Sequence, residues 1–146
     1  MNYLLDTNIV SNLGKRVPHP LIDRWVERQS PETLYVSSIT IAELRRGVEL
    51  SQRRHPPSHA HRLGTMLDAL QRYYARRILP FEEVAAHHWG VLSAIYPNHP
   101  LDAQIASVAL AQRATLVTTD QDFQYFARVL KEVGVELRIL NPTQEA

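Results

Sequence analysis

The stretch Asn2-Tyr3-Leu4-Leu5-Asp6-Thr7-Asn8 decides the expected fold. Its apolar run stops at the Asp6 carboxylate, and two polar residues follow. A run bounded in this way is typical of a strand that is buried on both faces and ends at a turn into a helix. Asp6 would then lie at the carboxyl end of the first strand, the edge where open α/β sheets bind ligands. The alternative is that Asp6 or Thr7 only caps the following helix.

The same pattern of a short apolar run followed by a helical segment recurs along the chain. Further strands are predicted at residues 34–36, 78–81, 115–117 and 135–140. Helices are predicted at residues 7–13 and 18–29, after Ser37-Ser38 up to a break at residues 55–58, and at 58–77, 82–96, 101–113 and 122–131. Strands that alternate with helices, without hairpin turn signals, favour a parallel sheet. We therefore expect one domain over residues 1–146, a three-layer α/β/α sandwich with a short parallel sheet.

Composition excludes several classes of protein. The chain has 146 residues, is 45% hydrophobic and contains no cysteine. The size suits one compact core, and the absence of cysteine excludes disulfides, thiolate zinc sites and a thiol nucleophile. No apolar run is long enough to span a bilayer, and an early acid stands where a signal peptide would be basic. These features indicate a cytoplasmic protein.

Arginine is concentrated in the middle of the chain. Between Leu44 and Arg77 there are eight arginines against two acids, an excess of six positive charges. Arginine favours bidentate contacts to phosphate, so this region could bind a nucleic-acid backbone, although such a stripe is also typical of a solvated face. The candidate RNA-binding residues, three of them on one side of the predicted helix 58–77, are Arg46, Arg62, Arg72 and Arg76.

Four acids are predicted to share one edge of the sheet. Asp6 and Asp120 follow strands, whereas Glu43 and Asp102 are placed in the first turns of helices that follow a loop. In a parallel sheet these positions meet at the same edge. Each acid also has a structural alternative. Glu43 could close a capping box with Thr40, Asp102 could favour the helix dipole, and Asp120 could serve a turn.

Carboxylates brought close together repel one another and raise each other's pKa, so a positive partner is expected. A site with oxygen ligands alone points to a hard cation, Mg²⁺ or Mn²⁺. Such a cation suits phosphodiester hydrolysis, because it activates water, orients a phosphate and stabilises the leaving oxygen. Four polar neighbours could orient the metal ligands or hold metal-bound water, namely Thr7, Asn8, Thr118 and Thr119.

These motifs together resemble the PIN-domain ribonucleases. The likeness covers nearly the whole chain in order and is greatest to VapC-type toxins of toxin–antitoxin pairs, including the FitB-like branch. The motifs that carry it are Leu5-Asp6-Thr7-Asn8, Ile41-Ala42-Glu43-Leu44 with Gly47, Asp102 leading Ile105-Ala106, and Leu116-Val117-Thr118-Thr119-Asp120 with Phe123.

The resemblance implies a Mg²⁺-dependent endoribonuclease that forms homodimers and is blocked by a small cognate antitoxin. It also implies that Asp6, Glu43, Asp102 and Asp120 are the metal-binding acids. Thr119 departs from the family pattern, where many relatives carry arginine, which weakens any expectation of a phosphate contact from that position. The non-enzymatic alternative is a nucleic-acid-binding partner that regulates DNA together with its antitoxin while the acids are dormant.

Overall fold

The computed structural model describes residues 1–12 and 14–144. Short strands alternate with helices, as predicted. The strands are β1 (Tyr3–Leu5), β2 (Leu34–Ser37), β3 (Ile78–Leu79), β4 (Thr115–Val117) and β5 (Ile139–Leu140). The helices are α1 (Thr7–Asn12), α2 (Pro20–Glu27), α3 (Ser38–Arg54), α4 (Pro57–Tyr73), α5 (Glu83–Ile95), α6 (Pro100–Gln112) and α7 (Asp122–Glu132), with a short 3₁₀ turn at Pro31–Thr33.

The five strands form one parallel sheet in the order β3-β2-β1-β4-β5. β1 is central, and its last residue, Leu5, lies level with Val36 of β2 and Val117 of β4. The predicted α/β fold with a parallel sheet is therefore confirmed. This register also aligns the residues that follow β1, β2 and β4 along one edge.

Helices cover both faces of the sheet. Successive side chains of a strand point to opposite faces, so each strand contributes to both layers of the core. Leu4 and Leu116 pack in a core with residues of α5, α6 and α7, whereas Leu5 and Val117 pack in a second core with residues of α1, α2 and α4. Both faces of β1 are thus buried, which explains its uninterrupted apolar sequence. α6 is buried nearly all round, as its composition predicts.

Some element boundaries differ from the prediction. α4 ends at Tyr73, four residues before the expected end, because the Arg77 guanidinium donates to the carbonyls of Tyr73 and Leu34 and turns the chain into β3. Arg76 therefore does not lie on the helix that carries Arg62 and Arg72. The prediction that these three arginines share one face of a helix is wrong for Arg76. β5 is reduced to two residues, and α1 ends at Asn12; the predicted extension of α1 to residue 13 lies outside the described residues.

The apolar residues of α5 divide into two groups. Ala85 and Leu92 are buried, whereas Val84, Val91 and Ile95 are 58%, 48% and 46% exposed. The exposed three recur at intervals of seven and four residues, so they lie along one stripe of the helix. α5 therefore presents an apolar face to solvent in the isolated chain.

Among the described helices, none combines the length and the apolar character required to cross a membrane.

Candidate active site

Asp6 is placed at the centre of the sheet edge by β1. Its backbone N–H donates to the carbonyl of Val117, which continues the pairing with β4 by one residue, and its side chain is only 4% exposed. Thr118 Oγ1 donates to Asp6 Oδ2 at 2.7 Å, and the Thr7 N–H donates to Asp6 Oδ1 at 2.7 Å. An N-cap side chain accepts from the second or third helical residue. Asp6 accepts from the first, so simple capping does not account for its geometry.

Glu43 reaches the same edge from α3, although from a different turn than predicted. The helix begins at Ser38, and Ser37 is its N-cap, with Ser37 Oγ accepting from the Thr40 N–H at 3.1 Å. Glu43 therefore lies in the second turn, so its predicted place in the first turn is wrong, and the alternative of a capping box with Thr40 is excluded. The reason is that Ser37, the last residue of β2, already supplies the capping oxygen.

A chain of hydroxyl groups fixes the Glu43 carboxylate. Thr7 Oγ1 donates to Glu43 Oε1 at 2.9 Å. Thr7 has a single hydroxyl hydrogen, so the 3.0 Å contact between its Oγ1 and Thr40 Oγ1 must use the Thr40 hydrogen. Thr40 is fully buried. The end of β1 and the second turn of α3 are thus connected by hydrogen bonds that point toward the acid.

Asp102 and Asp120 approach from the other side of β1. Asp102 lies in the first turn of α6, as predicted. Asp120 follows β4, and its N–H donates to Thr118 Oγ1 at 3.0 Å. Thr118 therefore contacts both Asp6 and Asp120. Asp120 Oδ1 also accepts from the Asp122 N–H at 2.9 Å, so the turn role expected of Asp120 is present as well.

The sequence prediction missed two residues here, His99 and Asp122. His99 has a left-handed backbone with φ of 58° and precedes α6. Its Nε2 lies 3.6 Å from Asp122 Oδ2, and its Nδ1 lies 3.9 Å from Asp102 Oδ2. The spacing Asp120-x-Asp122 at the start of a helix was the available signal for the second acid. Nothing in the local sequence around His99 predicted its left-handed turn.

The acids act on one another electrostatically. Burial raises the pKa of Asp6 from 3.8 to about 7, and the charges of Asp102 and Glu43 add to this rise. Burial also raises the pKa of Asp102 to about 6, with further increases from Asp120 and Glu43 and a decrease from His99. The charges of Glu43 and Asp120 are thus near enough to oppose the ionisation of Asp6 or Asp102. The predicted convergence on one edge of the sheet is observed.

The donor set fits a hard cation, although the side chains do not enclose one. Within residues 1–12 and 14–144, no group of three or more His, Asp or Glu side chains is placed to hold a metal ion. Mg²⁺ does not require such a group, since proteins usually hold it by one or two carboxylates while it keeps several waters. The Asn8 side-chain oxygen, two residues beyond Asp6, is buried and accepts no hydrogen bond from any described residue. Thr119, the fourth predicted polar neighbour, makes no side-chain hydrogen bond within the same residues.

A groove with basic side chains begins at Glu43. It has a volume of about 400 Å³, and its lining includes Glu43, Arg62, Lys15 and Arg16. Sequence reasoning named Arg62 and missed Lys15 and Arg16, because they fall in the segment between α1 and α2. Arg72 follows Arg62 by ten residues on α4, which places it about 15 Å further along the helix axis. Of the two predicted arginines on α4, Arg62 therefore lines the groove that contains Glu43, whereas Arg72 lies further along the helix.

Comparison with known proteins identifies the family. The PIN domain profile matches residues 3–129. VapC ribonuclease Y4jK of Sinorhizobium fredii is 35% identical over 124 residues, which cover 80% of this chain and 86% of the relative. Toxin FitB of Neisseria gonorrhoeae is 30% identical over 122 residues, with the same coverage.

Solved structures agree with these relatives. FitAcB from Neisseria gonorrhoeae superposes with a TM-score of 0.80 at 28% identity and covers 98% of this chain and 99% of its own. FitAB bound to an IR36 DNA fragment gives a TM-score of 0.79 at 26% identity, covering 99% and 97%. The chain therefore belongs to the PIN-domain family, where it groups with toxin ribonucleases of the VapC and FitB type.

Proposed function

We propose that this protein is a metal-dependent endoribonuclease and the toxin of a type II toxin–antitoxin pair. Its substrate is RNA, and its active site is the edge at which Asp6, Glu43, Asp102 and Asp120 converge. The observation that carries the proposal is that acids from four separate parts of the chain lie near the end of β1, where the charges of Glu43 and Asp102 raise the pKa of Asp6 and those of Asp120 and Glu43 raise the pKa of Asp102. Such an arrangement costs stability, which a bound cation offsets.

The residues that would hold the metal are these four acids, and the metal would be Mg²⁺ or Mn²⁺. When bound, it supplies the activation of water, the orientation of a phosphate and the stabilisation of the leaving oxygen. Asp6 fits this role because Thr118 and the Thr7 N–H fix both of its oxygens. The Asn8 oxygen, buried without a donor among the described residues, suits a further contact to a hydrated cation.

The reaction is hydrolysis of a phosphodiester bond. A water oxygen forms a new bond to phosphorus, one P–O ester bond breaks, and the leaving oxygen takes up a proton. The products are one strand that ends in a phosphate and one that ends in a hydroxyl. The chain's own contribution is to position the carboxylates, through Thr118 for Asp6 and Asp120 and through Thr7 for Glu43. Unpaired RNA is the expected substrate, because its backbone and bases are accessible.

Basic side chains would guide the RNA backbone to the acids. Arg62, Lys15 and Arg16 line the groove that begins at Glu43, and Arg46 is exposed on α3 three residues beyond it. Cations along such a groove neutralise phosphates and add a salt-dependent part to the affinity. Arg72 is placed too far along α4 to share in this contact.

We also propose two protein partners. FitB is named as a toxin, and its structure was determined as FitAcB and FitAB, so a cognate antitoxin is expected here. A second copy of this chain is expected on the exposed apolar stripe of α5, Val84, Val91 and Ile95, beside Leu101 at the start of α6, which is 42% exposed. Burial of such a stripe in a homodimer would stabilise the assembly by removing apolar area from water.

The second candidate function is DNA regulation together with the antitoxin. It is favoured by the structural likeness to FitAB bound to a DNA fragment. In this case the acids would be dormant, and the chain would contribute to a DNA complex without cleaving RNA.

Cleavage of an unpaired RNA by the purified chain tests the nuclease. We expect activity with Mg²⁺ or Mn²⁺ that stops when EDTA is added. Asp102→Asn should be folded and inactive, since the amide keeps the shape of the acid and removes the charge. Full activity in EDTA, or in Asp102→Asn, would contradict the proposal. An inactive parent that still binds operator DNA with its antitoxin would favour the second function.

A further inference from the structure

A second cleft adjoins the acids on the side away from Glu43. It has a volume of about 320 Å³ and begins at Thr118 and Asp120, both of which line it. This volume lies at the lower end of small-molecule sites, which run from roughly 300 to 1,000 Å³. The residues that line its outer part are polar or aromatic, namely Gln121, Gln124, Tyr125, Arg128, Asn141 and Gln144, with Ile139 from β5.

Aromatic rings form a row from this cleft to the acids. Tyr125, which is 49% exposed, stacks on Tyr96 with ring centroids 6.1 Å apart and an interplanar angle of 10°. Tyr96 stacks in turn on His99 at 6.4 Å and 20°. His99 is the residue that lies beside Asp102 and Asp122. Three nearly parallel rings therefore follow the rim of the acid cluster.

Buried phenylalanines of the core support this row of rings. Tyr96 packs edge-on against Phe126, and Phe126 is fully buried against Phe123 in the core. The Arg128 guanidinium lies 5.4 Å from the centre of the Tyr125 ring. An aromatic ring and an arginine plane are the two kinds of side chain on which unpaired RNA bases stack. Both lie in one cleft that also contains Asp120, and Tyr125 keeps 49% of its surface exposed beside Tyr96 and Arg128, so part of its ring is open to a base.

Hydrogen-bonding groups line the same cleft. The Asn141 side-chain oxygen already accepts from the Thr143 N–H and hydroxyl, which leaves its amide hydrogens to donate. Gln121 and Gln124 are exposed and can present either a donor or an acceptor. Amide groups of this kind can read the edge of a base that is stacked on a neighbouring ring.

We propose that this cleft is a subsite for one unpaired RNA base adjacent to the scissile phosphate, with Tyr125 as its stacking platform. The inference rests on the proposed nuclease function and adds the element that selects unpaired RNA over a duplex. A base in a duplex is covered on both faces by its neighbours, so it cannot stack on Tyr125 without being displaced. Phosphate contacts in the groove beyond Glu43 would serve both forms of RNA.

The test uses a short oligoribonucleotide that carries 2-aminopurine, a fluorescent base quenched by stacking, in an unpaired loop. Binding is measured in EDTA, so that the result does not depend on cleavage. The variants are Tyr125→Ala, Tyr125→Phe and, as a matched control, Tyr73→Ala. Tyr73 is a similarly exposed tyrosine, 55% accessible, at the end of α4, where Arg77 connects it to the first residue of β2 and thus to the opposite edge of the sheet. Melting curves establish that all variants are folded.

We expect Tyr125→Ala to bind the loop RNA between about 5-fold and 100-fold more weakly, which is the range for the loss of one base–aromatic stack, and to lose the quenching. Tyr125→Phe should bind like the parent, because the ring is kept. Tyr73→Ala should also be unchanged, and the affinity for a perfect RNA duplex should be the same in all four proteins. Unchanged loop affinity and quenching in Tyr125→Ala would overturn the proposal, even if the parent cleaves RNA. Loss of binding in Tyr125→Ala with no cleavage by the parent would leave the subsite standing and reject the nuclease.

Discussion

Thr7 Oγ1 donates a hydrogen bond of 2.9 Å to Glu43 Oε1, which connects the residue after the first acid to the second acid. The same hydroxyl accepts from Thr40, so its only hydrogen is committed to the carboxylate. Thr7 is therefore a positioning residue for Glu43, and its backbone N–H does the same for Asp6. One residue holds two of the four acids.

Removing this hydroxyl should weaken the site without unfolding the protein. We expect Thr7→Ala to reduce Mg²⁺ affinity and RNA cleavage by about 10-fold to 100-fold, the usual range for residues that orient metal ligands. Thr7→Ser keeps the hydroxyl and should retain most of both. Calorimetric titration with Mg²⁺ and cleavage kinetics measure the two effects. Equal activity in Thr7→Ala and Thr7→Ser would show that Glu43 does not depend on the hydroxyl.

Stability in metal-free buffer should fall as the pH rises. Asp6 has its pKa raised from 3.8 to about 7, so between these values the folded chain holds a proton that the unfolded chain releases. Unfolding therefore becomes easier through this window and levels off above it. Asp6→Asn should remove this part of the decline, whereas Asp68→Asn, which removes a charge at an exposed position of α4, should keep it. Melting temperatures in EDTA from pH 4 to 8 measure it, and parallel curves for the parent and Asp6→Asn would contradict the account.

Sequence alone predicted the fold and the sheet edge at which the four acids lie, because both follow from local patterns. Tyr3-Leu4-Leu5 is apolar without interruption since both faces of β1 are buried, and the carboxyl ends of parallel strands share one edge. The positions of Asp6 and Asp120 required only these two facts. The positions of Asp6, Asp102 and Asp120 could thus be predicted before any tertiary contact was known.

The parts that were missed depend on contacts between distant residues. α4 ends early because Arg77 bonds to the start of β2, forty-three residues away, and no local pattern predicts that contact. The turn of Glu43 was misplaced because the helix begins at Ser38, behind an N-cap at Ser37, and not next to Thr40. His99 joins the site through a left-handed backbone that its own sequence does not require. Lys15 and Arg16 were passed over because a connecting segment carries no periodicity.

The two arginines on α4 provide a direct test of the RNA path. Arg62→Ala should weaken binding of unpaired RNA and reduce the slope of log affinity against log salt by about 0.7, the value for one phosphate contact to a single strand. Arg72→Ala removes the same charge from the same helix and should change neither, because it lies about 15 Å further along the axis. Binding titrations at several salt concentrations measure both. Equal losses of RNA affinity in the two variants would show that binding depends on the net charge of the protein and not on a phosphate contact from Arg62.

Self-association should depend on the exposed stripe of α5. Val91→Glu places a charge in the middle of that stripe, so we expect it to convert a dimer to a monomer in sedimentation experiments. Val133→Glu, a change of the same kind at a position that is 50% exposed beyond α7, is the control and should leave the dimer intact. A dimer that survives Val91→Glu would place the interface elsewhere.

We infer that a cation binds at the sheet edge shared by Asp6, Glu43, Asp102 and Asp120, and the most direct measurement is the effect of Mg²⁺ on the melting temperature of the parent and its amide variants. Asn caps helices about as well as Asp, so Asp6→Asn and Asp102→Asn remove charge while they keep shape. In EDTA we expect both variants to melt at or above the temperature of the parent, because repulsion among the acids is relieved. Mg²⁺ should raise the melting temperature of the parent, since a ligand that binds only the folded state stabilises it. It should leave both variants unchanged, and neither should cleave RNA. Variants that Mg²⁺ stabilises as much as the parent, and that still cleave RNA, would contradict the account.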